Sequence, residues 1–462
     1  MCSFICCGRG FDLYYYVMAL SLRLYQDQSV KSLRAGFKRG FKAQVLAIPT
    51  GGGKTVIFTT IAKSAIQKGA AVMVVCDRKE LIGQALYNLE LLGLKPTIIA
   101  PGHKQKKNNC YIASMDTLRR RELPAVDLVI IDEAHKQTFD SLIIRYRESE
   151  FSPLIIGATA TPLRTGSQTS LHELYDNIVE PTTIGALLYE GYLVPCRTFA
   201  AKMDLDEVKM TGGDYNLKAL YKEFDKQKLY SGLVENYERF CKGKKTLVFN
   251  VNVSHSKKTV LAFRLAGYDA RHLDGNTPGP ERKQILEDFK NGAFQILSNC
   301  SVLTTGYDEP SIEAVIVNRA TKSLPLYLQM CGRGSRKFEG KDSFIVLDMG
   351  ANCYEHGLWS DSRSWELVKK RRNSSGVAPV KICESCEFMN PMSARVCSEC
   401  GEPFKIKKKK LLEAEFTEVK PVNRGGGQKF DPRGKSKTEL HEHAKKMGYS
   451  NGWAFIQHKL YN

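Results

Sequence analysis

The sequence predicts an α/β protein with two parallel-sheet domains in tandem, a small cysteine-rich ribbon and a short helical tail. Two observations predict the tandem: short apolar runs rich in β-branched residues recur along the chain, and segments with helical patterning separate them. Uninterrupted apolar runs indicate strands covered on both faces, and such strands form parallel sheets joined by crossover helices. Four cysteines grouped in the C-terminal part of the chain are the third observation, and they predict the ribbon.

The apolar runs fall into two groups, one for each expected sheet. The first sheet is expected to contain residues 44–48, 72–76, 111–114, 128–131 and 154–157. The second sheet is expected to contain residues 246–249, 294–297, 314–317 and 344–347. The groups meet near residues 191–195, so we expect one domain over residues 21–195 and another over residues 196–370.

The composition combines an ordinary apolar content with an excess of positive charge. The chain has 462 residues, of which 43% are hydrophobic and 25% charged, and its formal net charge is +19. A polyanionic partner such as nucleic acid suits this charge, because phosphate contacts need Lys and Arg. A basic protein without such a partner has the same composition. The apolar runs are too short to predict a membrane span, so we expect no membrane partner.

The two ends of the chain differ from its centre. The segment before Met18 lacks a basic n-region, so we expect no signal peptide. Met18 is the expected native start, and residues 1–20 are expected to be an N-terminal extension that is non-native or disordered. We expect the ribbon over residues 380–405 and a basic flexible linker over residues 406–436, whose Lys- and Gly-rich composition cannot bury a core. A small helical tail module is expected over residues 437–462.

A phosphate-binding loop is predicted at IPTGGGKT, residues 48–55. Glycine is needed where backbone N–H groups approach phosphate closely, Lys54 supplies the charge for the β- and γ-phosphates, and Thr55 supplies a hydroxyl for Mg²⁺. Ile48 stands at the first position, where a small residue is usual, so we expect some distortion of the turn. The alternative is a Gly-rich turn that only caps a helix. The predicted nucleotide contacts are Thr50, Gly51, Gly52, Gly53, Lys54 and Thr55.

Two carboxylates follow the apolar run LVIID in the tetrapeptide DEAH, residues 132–135. A carboxylate at a strand end is well placed to hold Mg²⁺ opposite Thr55, and we assign this role to Asp132. Its neighbour Glu133 is expected to orient water for in-line attack. A surface tetrapeptide without function is the alternative.

Two arginines stand close together in QMCGRGSR, residues 329–336. Their spacing predicts that Arg333 and Arg336 lie on one face of a helix. Arginines stabilise charge on a transferred phosphoryl group, and they can come from another domain. A solvated basic helix face is the alternative.

The cysteines of the ribbon have the spacing C-x2-C-x10-C-x2-C. Two such knuckles can place four thiolates tetrahedrally around Zn²⁺, and a site with all four positions filled by protein is structural. Buried thiols and an iron–sulfur cluster are the alternatives. The predicted ligands are Cys383, Cys386, Cys397 and Cys400.

Over roughly residues 21–350, these motifs resemble those of superfamily 2 helicases and translocases of the DEAD/DEAH-box type. Residues 22–26 resemble the adenine-reading Q motif, with Gln26 as the reader. The remaining motifs follow in order: residues 76–81 resemble motif Ia, 114–118 motif Ib, 159–161 motif III, 191–195 the exit from the first domain, 247–250 motif IV and 304–308 motif V.

The resemblance implies two RecA-like domains with ATP in their cleft and nucleic acid running across both. It adds contacts to the nucleotide from Tyr25, Gln26, Gly306 and Asp308. It implies catalysis by Lys54, Asp132, Glu133, Arg333 and Arg336, and coupling between the domains by His135, Thr159, Thr161 and Gln329. The implied cofactors are ATP, Mg²⁺ and a structural Zn²⁺.

The tail contains Gly448-Tyr449 and Gly452-Trp453-Ala454 after the ribbon, an order that resembles RadD-like bacterial and phage DNA helicases. The implied activity is that of an ATP-dependent helicase or translocase acting on DNA in repair, recombination or phage replication, in the cytoplasm of a bacterial or phage-infected cell. The expected partner is nucleic acid, with single-stranded or forked DNA favoured. The basic tail is expected to contribute to its binding, and docking of a single-strand-binding, replication or repair protein through the tail is the alternative. A restriction-system motor subunit and an accessory ATPase without unwinding are the alternatives.

Overall fold

The computed structural model of the protein describes residues 22–77, 79–164, 170–200, 205, 208–225, 227–304, 306–367, 380–391, 394–404 and 436–447. Residues Met1–Phe404 form one compact unit, and Lys405–Asn462 form a second. The predicted N-terminal extension, the linker and the tail motifs at 448–454 lie outside the described residues. Within the tail, helix α14 covers Lys437–Met447.

The first sheet has seven parallel strands in the order β3-β4-β2-β5-β6-β1-β7. We call this sheet and its helices domain 1. Its strands are β1 Ala43–Ala47, β2 Val72–Cys76, β3 Thr97–Ile99, β4 Cys110–Ser114, β5 Leu128–Asp132, β6 Leu154–Thr159 and β7 Asn177–Val179. Its helices are α1 Leu24–Lys38, α2 Lys54–Gln67, α3 Lys79–Leu91, α4 Met115–Leu118, α5 Asp140–Glu148, α6 Leu171–Leu174 and α7 Ile184–Tyr189, with a 3-10 turn at Gln137–Phe139.

The second sheet has six parallel strands in the order β12-β13-β11-β14-β15-β8, and we call it with its helices domain 2. Its strands are β8 Cys196–Ala200, β11 Thr246–Asn250, β12 Ala270–Leu273, β13 Ile296–Asn299, β14 Ala314–Asn318 and β15 Phe344–Asp348. A hairpin of β9 Met210–Thr211 and β10 Asp214–Tyr215 stands apart from it. Its helices are α8 Leu217–Phe224, α9 Gln227–Phe240, α10 Val253–Leu265, α11 Gly279–Lys290, α12 Leu324–Cys331 and α13 Asn352–His356.

The ribbon, residues 380–404, packs against domain 2. Its strands β16 Val380–Ile382 and β17 Met389–Pro391 pair antiparallel. Cys383, Cys397 and Phe388 are buried in one apolar cluster with Phe199 of β8. The rings of Phe199 and Phe388 meet edge to face at 5.8 Å. The ribbon therefore shares part of its core with domain 2.

A second connection joins the two domains after α13. In residues 358–367, which we call the strap, side chains alternate between half-buried and exposed from Asp361 to Leu367. Trp359 packs edge to face on Phe344 of β15 with centroids 5.3 Å apart. At the other end, the Trp365 N–H donates to Glu180 Oε2 of domain 1 at 3.3 Å, and Leu367 packs against the domain 1 core. The strap thus ties domain 2 to domain 1.

The predicted α/β tandem is confirmed, because each predicted apolar run overlaps a strand. The prediction omitted β3, β7, β8 and β12, which are short or carry polar residues. Edge strands such as β3, β7 and β12 have only one strand neighbour, so their sequences lack the continuous apolar run of a central strand. Within the described ranges, every helix is too short or too polar to cross a bilayer.

Candidate nucleotide site at the domain interface

The phosphate-binding loop follows β1 and opens α2, as predicted. Gly51 and Gly53 have φ of 83° and 78°, which is left-handed backbone that favours glycine. A Cβ on Gly52 would come within 2.6 Å of Ile48 Cγ2. The large Ile48 side chain is therefore accommodated, fully buried, because Gly52 has no side chain.

Tyr25 and Gln26 support the loop from α1. Tyr25 Oη donates to Gly52 O at 2.8 Å, and Gln26 Nε2 reaches the same oxygen at 3.4 Å. Gln26 Oε1 accepts the N–H of Arg23 at 3.0 Å, so both ends of its amide are engaged. Gln26 is only 3% exposed. These contacts brace the loop, and adenine reading by Gln26 stays a prediction.

A cavity of about 410 Å³ lies above the loop, between the two domains. Domain 1 contributes the loop and the two DEAH carboxylates, and domain 2 contributes the segment after β13 and the two arginines. The predicted site residues in its wall are Thr50, Gly51, Gly53, Lys54, Thr55, Asp132, Glu133, Gly306, Asp308, Arg333 and Arg336.

The two carboxylates have opposite electrostatic surroundings. Burial and the neighbouring Glu133 carboxylate raise the pKa of Asp132. Burial also acts to raise the pKa of Glu133, but the positive charges of Lys54 and Lys136 and the hydrogen bond from Lys54 hold it below its usual range. Glu133 has φ of 54°, a strained conformation for a non-glycine residue. The site thus keeps Glu133 ionised, and Asp132 is the carboxylate that a cation would stabilise.

Glu133 contacts side chains of both domains. Lys54 Nζ lies 3.3 Å from Glu133 Oε1. Gln329 Nε2, from α12 of domain 2, donates to Glu133 Oε2 at 3.4 Å. His135 Nδ1 lies 3.4 Å from the same oxygen. One carboxylate therefore contacts the loop lysine and a side chain of the opposite domain.

The residues predicted to couple the domains form a chain beside Glu133. His135 Nδ1 lies 2.8 Å from Thr159 Oγ1, and the Thr161 N–H donates to Thr159 Oγ1 at 3.1 Å. Burial lowers the pKa of His135 to about 4, so its ring is neutral near pH 7. His135 and Gln329 both line a second interdomain cavity, of about 390 Å³. The four residues are thus brought together, while their role in coupling remains to be tested.

The arginine prediction needs a correction. Helix α12 ends at Cys331, so Arg333 and Arg336 lie beyond it and do not share a helical face. Arg333 donates to the carbonyl oxygens of Thr304, at 2.6 Å from Nη2, and of Tyr307. Glycine is required directly after the helix, because a Cβ at residue 332 would come within 2.9 Å of Thr50 Cβ and 3.0 Å of the Leu328 carbonyl oxygen.

Arg336 is placed differently from Arg333. Its Nε pairs with Asp308 at 2.5 Å, and its buried Nη1 has no hydrogen-bond partner among the described residues. Both arginines still line the cavity. Arg333 therefore holds the segment after β13, whereas Arg336 has a donor available for a ligand.

The sequence interpretation missed the packing that joins the domains around the loop. A Cβ on Gly51 would come within 3.6 Å of Ser335 Oγ, and a Cβ on Gly306 within 2.7 Å of Leu81 Cδ2. The strap was also missed, because only Trp365 and Leu367 are apolar between residues 361 and 367. Two apolar residues separated by one polar residue are a weak signal, and they do not say which surface the strap covers.

The four predicted cysteine ligands converge in the ribbon. All four Sγ atoms lie within 4.8 Å of one another. Cys383 and Cys400 are 3.6 Å apart, as are Cys386 and Cys397. Thiolates bound tetrahedrally at 2.3 Å from zinc lie about 3.8 Å apart. The donor set therefore fits a four-coordinate metal ion.

Comparisons with known proteins agree with this architecture. The family model described as type III restriction enzyme, res subunit, matches residues 19–164. The model of the helicase conserved C-terminal domain matches residues 228–337. The two models thus fall on domain 1 and domain 2, and on the two sides of the cavity.

Individual relatives cover most of this chain. A 51.5 kDa protein of a Lactococcus phage is 29% identical, over 80% of this chain and 80% of its own length. The Saccharomyces cerevisiae protein named ATP-dependent helicase IRC3 is 30% identical, over 71% of this chain and 51% of its own length. This chain thus spans about half the length of the yeast relative.

A solved structure shows the same fold. A fragment of an HsdR subunit of a type I restriction enzyme from Vibrio vulnificus matches with a TM-score of 0.54 and 23% identity, over 71% of this chain and 64% of that chain. The resemblance of the tail to RadD-like proteins stays a prediction. The two matched motor domains, arranged around one cavity, show that the chain belongs to the superfamily 2 helicases, which are ATP-dependent enzymes.

Proposed function

We propose that the protein is an ATP-dependent helicase or translocase that acts on DNA in repair, recombination or phage replication. One observation carries the proposal: Glu133 contacts Lys54 of the phosphate loop at 3.3 Å and Gln329 of domain 2 at 3.4 Å. A carboxylate held between the two domains links the state of the nucleotide to their separation.

The roles follow from the contacts. The loop N–H groups and Lys54 bind the phosphates, and Glu133, kept ionised by Lys54, orients the attacking water. Arg336 Nη1 is the donor left available for charge that develops on the phosphoryl group. Arg333 keeps the segment with Gly306 and Asp308 in the cavity wall.

The residues present fit a magnesium ion. Thr55 and Asp132 both line the cavity, and burial beside Glu133 disfavours the charged form of Asp132. Thr55 and Asp132 would hold Mg²⁺, which neutralises phosphate charge when bound. The Glu133 N–H donates to Asp132 Oδ1 at 3.0 Å and orients that carboxylate.

DNA is the favoured partner for two reasons. The net charge of +19 suits phosphate, and the names of the restriction-enzyme relatives point to DNA rather than RNA. A location in the cytoplasm of a bacterial or phage-infected cell belongs to the same proposal. The basic tail is proposed to contact DNA, and recruitment of a single-strand-binding, replication or repair protein by the tail is the alternative.

The domain boundaries proposed from the sequence are kept: 21–195, 196–370, a zinc ribbon at 380–405, a linker at 406–436 and the tail from 437. The distances between the four Sγ atoms support a zinc ion as the metal that this cluster binds. In addition, Asn390 Nδ2 and the Glu399 N–H both donate to Cys397 Sγ at 3.4 Å, as hydrogen bonds to a thiolate ligand would.

Turnover of ATP with and without single-stranded DNA tests the proposal. Wild-type protein should hydrolyse ATP faster when DNA is added. Lys54→Ala should abolish turnover in both conditions, while Lys68→Ala at the end of the same helix should match wild type because that side chain is exposed. Wild-type turnover that does not respond to DNA would favour an accessory ATPase.

A motor subunit of a restriction system is the second candidate, and the res-subunit match over residues 19–164 favours it. Such a subunit translocates on duplex DNA, so its ATPase should respond to duplex DNA and not to single strands. Comparing the two DNA forms in the same assay separates the candidates.

A further inference from the structure

Arg319 is a buried cation that donates no hydrogen bond to any described residue. It follows β14, its residue is 7% exposed, and its Nε is buried without a partner. Arginines are rarely buried unless they are paired, because an unpaired buried charge is strongly unfavourable. The structure therefore buries a guanidinium that makes no ion pair or hydrogen bond with a described residue.

Strand register places Arg319 at the carboxyl edge of domain 2. β13, β11 and β14 are parallel neighbours, with Phe249 paired to Asn299 and Asn250 paired to Asn318. The next residues, Val251 and Arg319, therefore follow side by side where these strands end. Ser301, two residues after Asn299, continues the same row, with φ of 59°.

The nearest carboxylate is already engaged elsewhere. Asp214 of the hairpin accepts the Thr321 hydroxyl at Oδ2 and the Lys322 N–H at Oδ1, both at 2.6 Å. Burial lowers the pKa of Arg319, and the charge of Asp214 only partly opposes this. Asp214 thus fixes the segment after Arg319 without pairing with its guanidinium.

The backbone at Arg319 is held firmly. Its carbonyl oxygen accepts Asn352 Nδ2 at 2.8 Å, and a Cβ on Gly350 would come within 2.1 Å of that oxygen. Helix α10 begins at Val253, directly after β11, so its positive N-terminal end lies at the same edge. A guanidinium and a helix N-terminus at the same edge of the sheet suit an anion.

We propose that Arg319 binds a backbone phosphate of the nucleic acid at the carboxyl edge of domain 2. The proposal rests on the proposed function, because it takes nucleic acid as the partner. The phosphates of ATP are not the ligand, since Arg319 is not part of the wall of the cavity above the phosphate loop. A planar guanidinium can donate two parallel hydrogen bonds to one phosphate.

The test compares Arg319→Gln with wild type in equilibrium binding of a single-stranded DNA oligonucleotide at several salt concentrations. Arg319→Gln should bind more weakly, and its slope of log affinity against log salt should be shallower by about 0.7, the value for one phosphate contact of a single strand. Arg319→Lys should keep the slope, because it keeps the charge.

Lys322→Gln is the matched control. It removes a positive charge three residues away, but Lys322 Nζ already pairs with Glu355 at 2.7 Å. Its affinity and salt slope should equal those of wild type. The unfolding temperature without DNA is the second readout, and Arg319→Gln should keep or raise it because the variant removes an unpaired buried charge.

The outcomes separate this proposal from the proposed function. If wild type binds DNA and Arg319→Gln has the same affinity and slope, the phosphate role is overturned and the helicase proposal stands. A lower unfolding temperature with unchanged binding would show a structural role for Arg319 and also overturn it. If wild type itself does not bind DNA, the proposed function fails and this inference fails with it.

Discussion

Gln329 Nε2 of domain 2 donates to Glu133 Oε2 of domain 1 at 3.4 Å, across 196 residues of sequence. The bond is long for an N–H···O contact. A small closing movement of the domains would shorten it. Glu133 is therefore sensitive to the position of domain 2, and under the proposed function domain closure and water activation would share one carboxylate.

Gln329→Ala should reduce the turnover of ATP about tenfold, with little change in ATP binding. A hydrogen bond to a charged group contributes about 1.5–3 kcal/mol, and here it forms mainly on closure. Glu133→Gln should reduce turnover by about 10²–10⁴, the usual contribution of a catalytic base. Single-turnover hydrolysis and nucleotide-binding titrations measure the two effects.

A double-mutant cycle tests whether Gln329 acts through Glu133. In the Glu133→Gln background, Gln329→Ala should add almost no further loss, because the two residues form one unit. Losses that multiply in the double variant would contradict the coupling.

Arg336→Ala should reduce turnover by about 10²–10³ while leaving the fold intact, because Arg336 lines the cavity and its Nη1 has no hydrogen-bond partner among the described residues. Arg333→Ala should also lower the free energy of unfolding, by about 1–3 kcal/mol, because the carbonyls of Thr304 and Tyr307 lose their donor. Denaturant unfolding beside ATPase kinetics distinguishes them. Lys337→Ala, next in sequence and exposed, is the control. Equal stability of the two arginine variants would contradict this assignment.

Trp365→Ala should loosen the strap. The Trp365 side chain is half-buried against an apolar cluster that contains residues of both domains, so its loss should lower the free energy of unfolding by about 2 kcal/mol. The backbone N–H of residue 365 keeps its bond to Glu180 in this variant. Calorimetry should show the single unfolding transition broaden or split, because the domains lose one of their connections. Ser364→Ala, exposed in the same strap, should behave as wild type. A Trp365→Ala protein that unfolds like wild type would contradict the stabilising role of the strap.

Asn390→Ala should weaken metal binding by about 10–100-fold, since its amide donates to Cys397 Sγ and accepts the Ser398 N–H at 2.9 Å. Competition with a chelator measures the affinity.

Purified wild-type protein should carry about one zinc per chain, released by a thiol-modifying reagent. Metal analysis that finds iron or no metal would overturn the zinc ribbon.

Two truncations separate the ribbon from the tail. Ending the chain at residue 404 should preserve the unfolding temperature and basal ATPase, because residues Lys405–Asn462 form a separate unit. DNA affinity should fall and its salt dependence should become shallower, as the removed segment is rich in lysine. Ending the chain at residue 375 should also destabilise domain 2, since Phe388 leaves the core around Phe199. An unchanged salt dependence would instead assign the tail to protein recruitment.

The sequence by itself determined the central strands, the phosphate loop, the DEAH carboxylates at the end of β5 and the four cysteine ligands. Each has a local signal in the sequence. An apolar run predicts a strand, a glycine cluster predicts the loop, and a fixed spacing predicts the cysteine cluster. Even the strained φ of Glu133 falls at a position that the motif had identified.

Only the tertiary structure decided which residues these side chains contact. The spacing of Arg333 and Arg336 predicted a shared helical face, but α12 ends at Cys331 and the two guanidiniums have different partners. The contact of Gln329 with Glu133 and the unpaired charge of Arg319 depend on strand order and on how two sheets pack. Such contacts join residues far apart in the chain, and local patterns carry no information about them because periodicity is set by neighbours within a few residues.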